Sequence, residues 1–262
     1  MHKEFIKRTY DGLEYLVSPL LESEGVLHCF TTRLGGYSRG HLESLNLGLG
    51  RGDDEASLKK NYEKVAHALG FNIEKLSITK QIHKTRSAYI KEPVLRSEGC
   101  DALFTDRTGI PLMSYSADCV PVLMYDRRRK AAATVHSGWR GTAAKICAHV
   151  IGDMHEVLGT EPGDLVCAIG PSIGQCCFQI KDDAVKVFKE NFENTDFIRP
   201  EGDGVHYRAD IWEAVRRTLT GSGVRDENID LAAECSCCND IYFSCRRQKG
   251  KFGAMGAFIQ LQ

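Results

Sequence analysis

SYSADCVPVLMYDRRRKAAATVHSGWRGTAAK, residues Ser114–Lys145, reads as two apolar runs joined by a charged turn. The first run, Met113–Tyr125, carries Pro121 within it, and the second is Ala131–His136. Asp126–Lys130 lies between them and holds three consecutive arginines. Apolar runs of this length bounded by a polar turn predict a β-hairpin. Cys119 falls early in the first run and His136 ends the second. Ser137-Gly138-Trp139-Arg140-Gly141-Thr142 follows at once. A helical pattern then runs over Thr142–Leu158, with Ile146, Val150, Met154 and Val157 on one side. A strand that stops at a glycine-flanked turn and feeds a helix aims backbone N–H groups and the helix dipole at one spot, which suits an anion. The hairpin is therefore expected to present a thiolate, an imidazole and an anion cradle together.

Outward from the hairpin, the chain alternates strand and helix signals. Tyr10–Phe30 reads as strands around Gly25, and Thr31–Ser38 is a glycine-rich loop with Arg33 near its start. Leu42–Gly50 is too rich in glycine for a helix; its Asn46 either satisfies turn backbone or faces a ligand. Asp53 or Asp54 caps a helix with Leu58, Tyr62, Val65 and Leu69 at helical spacing, ending at Gly70. Ile78–His83 alternates as a strand, which would put Gln81 and His83 on one face. Downstream, Val166–Ile169 reads as a strand, Asp182–Phe192 and Asp210–Leu219 as helices, and Ile241–Arg247 and Met255–Leu261 as two last strands. Several strands are joined by short turns, so a mixed sheet with antiparallel hairpins is expected, in one α/β domain spanning residues 1–262 with helices packed outside.

Composition narrows the function. A chain of 262 residues can bury a large core, and a formal charge of −1 gives no electrostatic reason to bind nucleic acid or an acidic membrane. The Arg127–Lys130 run reads as a solvated turn. The start, MHKEFIKRTY, lacks the apolar centre of a signal peptide, and no run is long enough to span a bilayer, so a cytoplasmic location is expected. Eleven cysteines are an odd number in a long chain with no export signal, which favours reduced thiols over a disulfide framework.

Two cysteine-bearing groups could hold a metal. His83, Cys119 and His136 offer two imidazoles and one thiolate, a donor set that leaves a fourth position open on zinc. Cys235-Ser236-Cys237-Cys238, with Cys245, is the rival; adjacent ligands there strain tetrahedral closure, and the nearest second pair is Cys176-Cys177. A third reading treats the cysteines as small hydrophobes. Spacing alone leaves all three open.

Eight motifs occur in one order: FTTRLGGYS (Phe30–Ser38), SLNLGLGRGDD (Ser44–Asp54), QIH (Gln81–His83), CDALFTD (Cys100–Asp106), ADCVPVLMYD (Ala117–Asp126), VHSGWRGT (Val135–Thr142), IGPSIGQCCF (Ile169–Phe178) and FSCRR (Phe243–Arg247). This series resembles the YfiH/YlmD-type family, known both as laccase-like polyphenol oxidases and as purine nucleoside phosphorylases and adenosine deaminases. The resemblance implies two β-sheet layers flanked by helices (α/β/β/α) and one zinc per chain on His83, Cys119 and His136. It also implies a catalytic role for Arg33. Cys119 joins Arg33 as a candidate catalytic residue, and Asn46, Gln81 and Arg140 are candidate substrate contacts. The chain departs from the family at Lys84, Ser137 and Cys245, and GKFGA (Gly250–Ala254) lacks the family's usual threonine and arginine.

Four functions compete. Phosphorolysis of adenosine, inosine or methylthioadenosine needs a phosphate site and a cation beside it, and deamination needs an activated water, for which Asp118 is a candidate acid–base group. Copper-dependent phenol oxidation could use the same two histidines and cysteine. Nine histidines with no H-x-H pair, however, build a multicopper cluster with difficulty. A Cys119-dependent amidase acting on peptidoglycan precursors, and a non-enzymatic metal-binding module, complete the set. The expected partners are a purine nucleoside and phosphate, with the chain a monomer or homodimer.

Overall fold

Asp126 closes the central hairpin: its Oδ1 accepts the backbone N–H groups of Arg128 and Arg129 at 2.8 and 2.9 Å, and Lys130 turns the chain back at φ 52°. The computed structural model describes residues 4–262. In chain order its strands are β1 Ile6–Tyr10, β2 Leu13–Val17, β3 Leu27–Thr31, β4 Ser77–Ile78, β5 Ser87–Tyr89, β6 Ala102–Thr105, β7 Leu112–Ser116 and β8 Val120–Asp126. They continue as β9 Ala131–Ser137, β10 Leu165–Ile169, β11 Gln179–Lys181, β12 Ile198–Pro200, β13 His206–Ala209, β14 Ile229–Leu231 and β15 Met255–Gln260. The helices are α1 Pro19–Ser23, α2 Glu55–Leu69, α3 Trp139–Ala143, α4 Ile146–Leu158, α5 Asp182–Asn191, α6 Ile211–Gly221 and α7 Cys245–Gln248.

Among the described residues two six-stranded sheets form, in the orders β1-β2-β3-β15-β7-β4 and β14-β10-β8-β9-β6-β5, beside a small β11-β13-β12 sheet. The hairpin β8–β9 is the centre of the second sheet, in register from Val120 opposite Ser137 to Asp126 opposite Ala131. Side chains on a strand alternate between faces, and here both faces are covered. Leu123, Tyr125 and Ala132 point inward, against Phe30, Leu112 and Ile259 of the first sheet. Val122, Met124 and Val135 point outward, under Ile146, Val150 and Met154 of α4 and Val215 and Leu219 of α6. Helix α2 covers the far face of the first sheet with Tyr62, Val65 and Ala66, against Leu13, Met113 and Phe258. The layers are therefore α/β/β/α in a single mixed domain, as the sequence and the resemblance predict.

Some expected elements break where tertiary contacts override local pattern. The apolar run Met113–Tyr125 is not one strand. It splits into β7 and β8, which belong to different sheets, and the crossing Ala117-Asp118-Cys119 passes through Asp118 at φ 90°. The helix expected over Thr142–Leu158 starts earlier and is interrupted: α3 ends at Ala143 and α4 restarts after Lys145 at φ 57°. Ile241–Arg247 is not a strand, because Tyr242 and Phe243 are buried in a turn and Ser244 caps α7 by accepting the Arg247 N–H. Of the strand expected over Ile78–His83, only Ile78 is in a strand, as the second residue of β4. Asp54 caps α2, and Asp53 accepts from Ser38 Oγ and Asn46 Nδ2 instead.

Candidate active site

Three side chains converge where the two sheets meet. Cys119 sits at the crossing between β7 and β8, and His136 lies near the end of β9. His83 follows the short β4 in a left-handed turn at φ 57°. The structure brings these three together: one ligand atom from each lies within 4.8 Å of the others. The two imidazole rings meet edge to face with centroids 4.9 Å apart.

Asp101 organises the cluster from beneath. Wholly buried, it accepts the His83 and Lys84 backbone N–H groups at 2.9 Å each and the His136 Nδ1 proton at 2.9 Å. Desolvation pushes its carboxyl up, but hydrogen bonds from His136 and the Lys84 and His83 amides overcome this, and the net shift is downward. Burial likewise disfavours the His136 imidazolium; the neighbouring Cys119 thiolate and Asp101 outweigh it, holding the ring up to about 9. Burial, with the His136 charge beside it, lowers His83. A carboxylate that fixes one ring nitrogen of a histidine leaves the other as a defined ligand, as in metal centres generally. Asp101 was not singled out in the sequence, although it stands in CDALFTD.

The donor set fits a metal ion, and the space beside it is kept clear. A Cβ on Gly138 would stand 2.7 Å from His83 Nδ1, 3.3 Å from Cys119 Sγ and 3.5 Å from His136 Cε1. Only a residue without a side chain leaves this cradle open. Imidazole and thiolate are both zinc donors, and three protein ligands leave one position for water or substrate, as in catalytic zinc sites.

A cavity of about 550 Å³ opens over the cluster. Trp139, Ile173, Phe178 and Ile211 give it an apolar side, and Arg51, Arg246 and Lys249 give it a cationic mouth. The Arg246 guanidinium donates to the carbonyls of Cys177 and Gln179 at 2.8 and 3.1 Å, which fixes it as a preorganised charge. Arg51 lies 4.3 Å above the Phe252 ring. Sequence reading missed all three cations, although Arg51 and Arg246 stand inside quoted motifs.

Of the other expected residues, Gln81 and Asp118 line the cavity but are tied up in hydrogen bonds, and the rest lie outside the lining. Arg33 is not in the cavity lining: its Nε donates to the Glu43 carbonyl at 2.6 Å and its guanidinium packs 4.8 Å from the Phe243 ring. Asn46 is fully buried, donating to Asp53 and accepting from the Gly48 and Ala254 amides. Gln81 lines the cavity, but its amide is tied to the Tyr115 backbone in both directions, at 2.9 and 3.1 Å, as a strand residue would be. Arg140 is exposed and stacks on Trp139 at 4.2 Å. Asp118 uses both oxygens, one for Ser236 Oγ and one for the Arg246 N–H, each at 2.7 Å, and so holds a turn. The expected anion cradle at Gly138–Thr142 falls at the N-cap and first turn of the five-residue α3, Trp139–Ala143, where Gly138 packs against His83, Cys119 and His136.

A family model described as multi-copper polyphenol oxidoreductase laccase matches residues 27–262. The chain belongs to this family. Its relatives include a purine nucleoside phosphorylase of Bacteroides thetaiotaomicron, 35% identical over 248 residues, covering 90% of this chain and 92% of that protein. An adenosine deaminase from an unknown prokaryotic organism is 33% identical, with 86% of this chain and 89% of that protein covered. The crystal structure of YlmD from Geobacillus stearothermophilus superposes with a TM-score of 0.92 at 30% identity, over 99% of this chain and all of that one. The family's YfiH/YlmD character and its layered fold are thus those of this chain.

Proposed function

We propose that this chain is a zinc-dependent purine nucleoside phosphorylase with adenosine deaminase activity. In this reading it acts in the cytoplasm, as a monomer or homodimer, and residues 1–262 form one catalytic domain. Adenosine, inosine and methylthioadenosine are its substrates, and phosphate its co-substrate. The observation that carries the reading is the division of the cavity: a three-ligand wall at His83, Cys119 and His136, an apolar side at Trp139 and Phe178, and cations at the mouth. A purine ring is flat and apolar on its faces, which matches the aromatic side. Phosphate carries the charge that Arg51, Arg246 and Lys249 neutralise.

Phosphorolysis replaces the C1′–N bond of the nucleoside by a C1′–O bond to phosphate, releasing the free base. The cations hold the phosphate oxygens, and the rigid Arg246 keeps its charge in place without reorganisation during the reaction. Apolar surface around the base excludes water, which favours phosphate over hydrolysis as the incoming group. A zinc ion on His83, Cys119 and His136 would supply Lewis acidity and a water of lowered pKa, the requirement for removing an exocyclic amine. Asp101 holds the His136 Nδ1 proton and so keeps Nε2 available as a ligand. In this reading Arg33 acts at one remove, fixing Phe243 and the loop that precedes Arg246.

Copper oxidation is less well supported by the residues. Among the described residues the candidate metal groups contain two histidines in all, His83 and His136, too few for several coppers. Zinc-loaded, copper-free protein under anaerobic conditions tests the choice. Adenine and ribose 1-phosphate should appear from adenosine only with phosphate, and inosine should appear without it. Inert adenosine, together with phenol turnover that needs copper and air, overturns the proposal.

A further inference from the structure

Beside the cavity, two turns lie side by side. One spans Gly174–Phe178, closed by the Cys177 and Phe178 amides on the Gly174 carbonyl at 3.0 and 2.9 Å. The other begins at Cys235 and closes when the Asn239 N–H reaches the Cys235 carbonyl at 3.0 Å. A parallel bridge between Ser172 and Cys235 locks them together, through Ser172 N–H to Glu234 O and Ser236 N–H to Ser172 O. Each turn contributes two thiols to one point.

We propose that Cys176, Cys177, Cys235 and Cys238 form a second metal site, a four-thiolate clip that takes one tetrahedral zinc ion. The four sulfurs all lie within 4.8 Å of one another, with Cys238 at 3.5 Å from Cys176 and 3.3 Å from Cys177. Sulfurs bound at about 2.3 Å around a tetrahedral zinc stand roughly 3.8 Å apart, the scale seen here. A disulfide needs sulfurs at about 2.05 Å, and all four cysteines are free.

The surroundings suit a dianionic centre. Three guanidinium groups dock on the carbonyls of the same turns: Arg208 on Cys176 at 2.7 Å, Arg246 on Cys177 at 2.8 Å and Arg247 on Cys237 at 3.0 Å. The Gly174 N–H points at the Cys235 sulfur at 3.3 Å, the kind of contact that favours a thiolate. Cys176 and Cys238 are exposed, so an ion can enter from solvent. The ligands from the second turn are Cys235 and Cys238, spaced as C-x-x-C. Cys237 is therefore not needed as a ligand, and although Cys176 and Cys177 are adjacent, their turn still brings both sulfurs within 4.8 Å of the other two. Cys237 packs against the helical core, and Cys245 lines the large cavity. The clip thus belongs to no part of the first cluster, and the inference stands whether or not the proposed activity does.

Metal content tests it directly. Chain stripped with a chelator under reducing conditions and reloaded with zinc chloride should bind two zinc ions. Cys176→Ser/Cys238→Ser should bind one, and His83→Ala/Cys119→Ala/His136→Ala should also bind one. Loaded with cobalt(II) instead, the triple variant should keep the intense sulfur-to-metal charge-transfer absorption of several thiolates, whereas the double variant should show at most the weaker band of the single Cys119 thiolate. Because the triple variant retains the clip, the test survives even if the serine variant fails to fold. A double variant that binds as much zinc as wild type, a triple variant without charge-transfer absorption, iron in place of zinc, or a disulfide among these four in protein purified without oxidant would each overturn the assignment.

Discussion

Replacing Gly138 by alanine tests the first metal cradle with the smallest available change. Its backbone, at φ −69° and ψ 162°, is open to any residue, so the methyl group brings no conformational strain. The cost is local. A Cβ would lie 2.7 Å from His83 Nδ1, whereas a comfortable heavy-atom contact is about 3.5 Å, so the ring has to retreat by about 0.8 Å. Metal–ligand distances tolerate only about 0.2 Å. Cys119 Sγ, at 3.3 Å from the same methyl, is pressed as well. Displacing one ligand of three by several times the tolerance should weaken zinc binding at this site at least ~100-fold, or about 2.8 kcal/mol. Competition with a calibrated chelator, read alongside the thermal midpoint of the stripped protein, separates affinity from folding. The midpoint should stay close to wild type while zinc affinity falls. Gly138→Ala protein that holds zinc at this site as tightly as wild type would refute the cradle.

Asp101→Asn should lower zinc affinity ~10–100-fold, because an amide cannot both accept from the His83 and Lys84 N–H groups and keep His136 in its present tautomer; unchanged metal content at limiting zinc would remove Asp101 from this role. Arg51→Ala should raise the KM for phosphate at least ~10-fold, the scale of one charge-assisted hydrogen bond, whereas Arg33→Ala should act mainly on stability, by about 1–2 kcal/mol. A ~100-fold fall in kcat for Arg33→Ala at unchanged Tm would restore the direct catalytic role that the resemblance implies. Stability should also fall in mild acid: burial holds the His28 imidazole below its usual value, against a hydrogen bond to Val26 O that favours protonation, and its Nε2 accepts the Ser18 N–H at 2.8 Å. The unfolded chain then binds the proton more readily, so stability is full above about pH 6.5 and drops by up to about 1.4 kcal/mol per unit below it, until the folded pKa is reached. Denaturant melts of His28→Gln between pH 7 and 5 should show a shallower decline; an identical slope would assign the acid sensitivity to other groups.

The parts legible in the sequence were those set by short-range pattern. Apolar runs on either side of the charged turn Asp126–Lys130 gave the hairpin, and Asp54 and Gly70 bounded α2 by ordinary capping chemistry. His83, Cys119 and His136 could be named, but their convergence rested on the resemblance, because it depends on a crossing between sheets. That crossing was invisible for a physical reason. Asp118 sits at φ 90° with its carboxylate held by Ser236 and Arg246, over a hundred residues away. Tyr242 and Phe243 misled in the opposite sense: buried aromatics suggest a strand, yet here they anchor a turn beneath Arg33. The cations at the mouth come from two segments far apart in the chain, the loop at Arg51 and α7 with its cap Lys249, and Cys176 meets Cys238 across sixty-two positions. No local periodicity encodes such meetings.

The crossing at Ala117–Cys119 has a mechanical consequence. Cys119 stands where the chain steps from one sheet to the other, His136 belongs to the second sheet, and His83 hangs from the edge strand of the first. An ion shared by the three is therefore a rivet through both layers, set at the end of their shared seam. The seam is otherwise mostly apolar, crossed at Thr134 by buried polar links to Ser114 Oγ at 2.8 Å and the Ala257 carbonyl at 3.4 Å. Apolar contact resists separation but guides sliding poorly, whereas a tetrahedral ion fixes direction as well as distance. Loading the site should thus slow amide exchange along β7 and β8 together, coupling two sheets that would otherwise breathe independently.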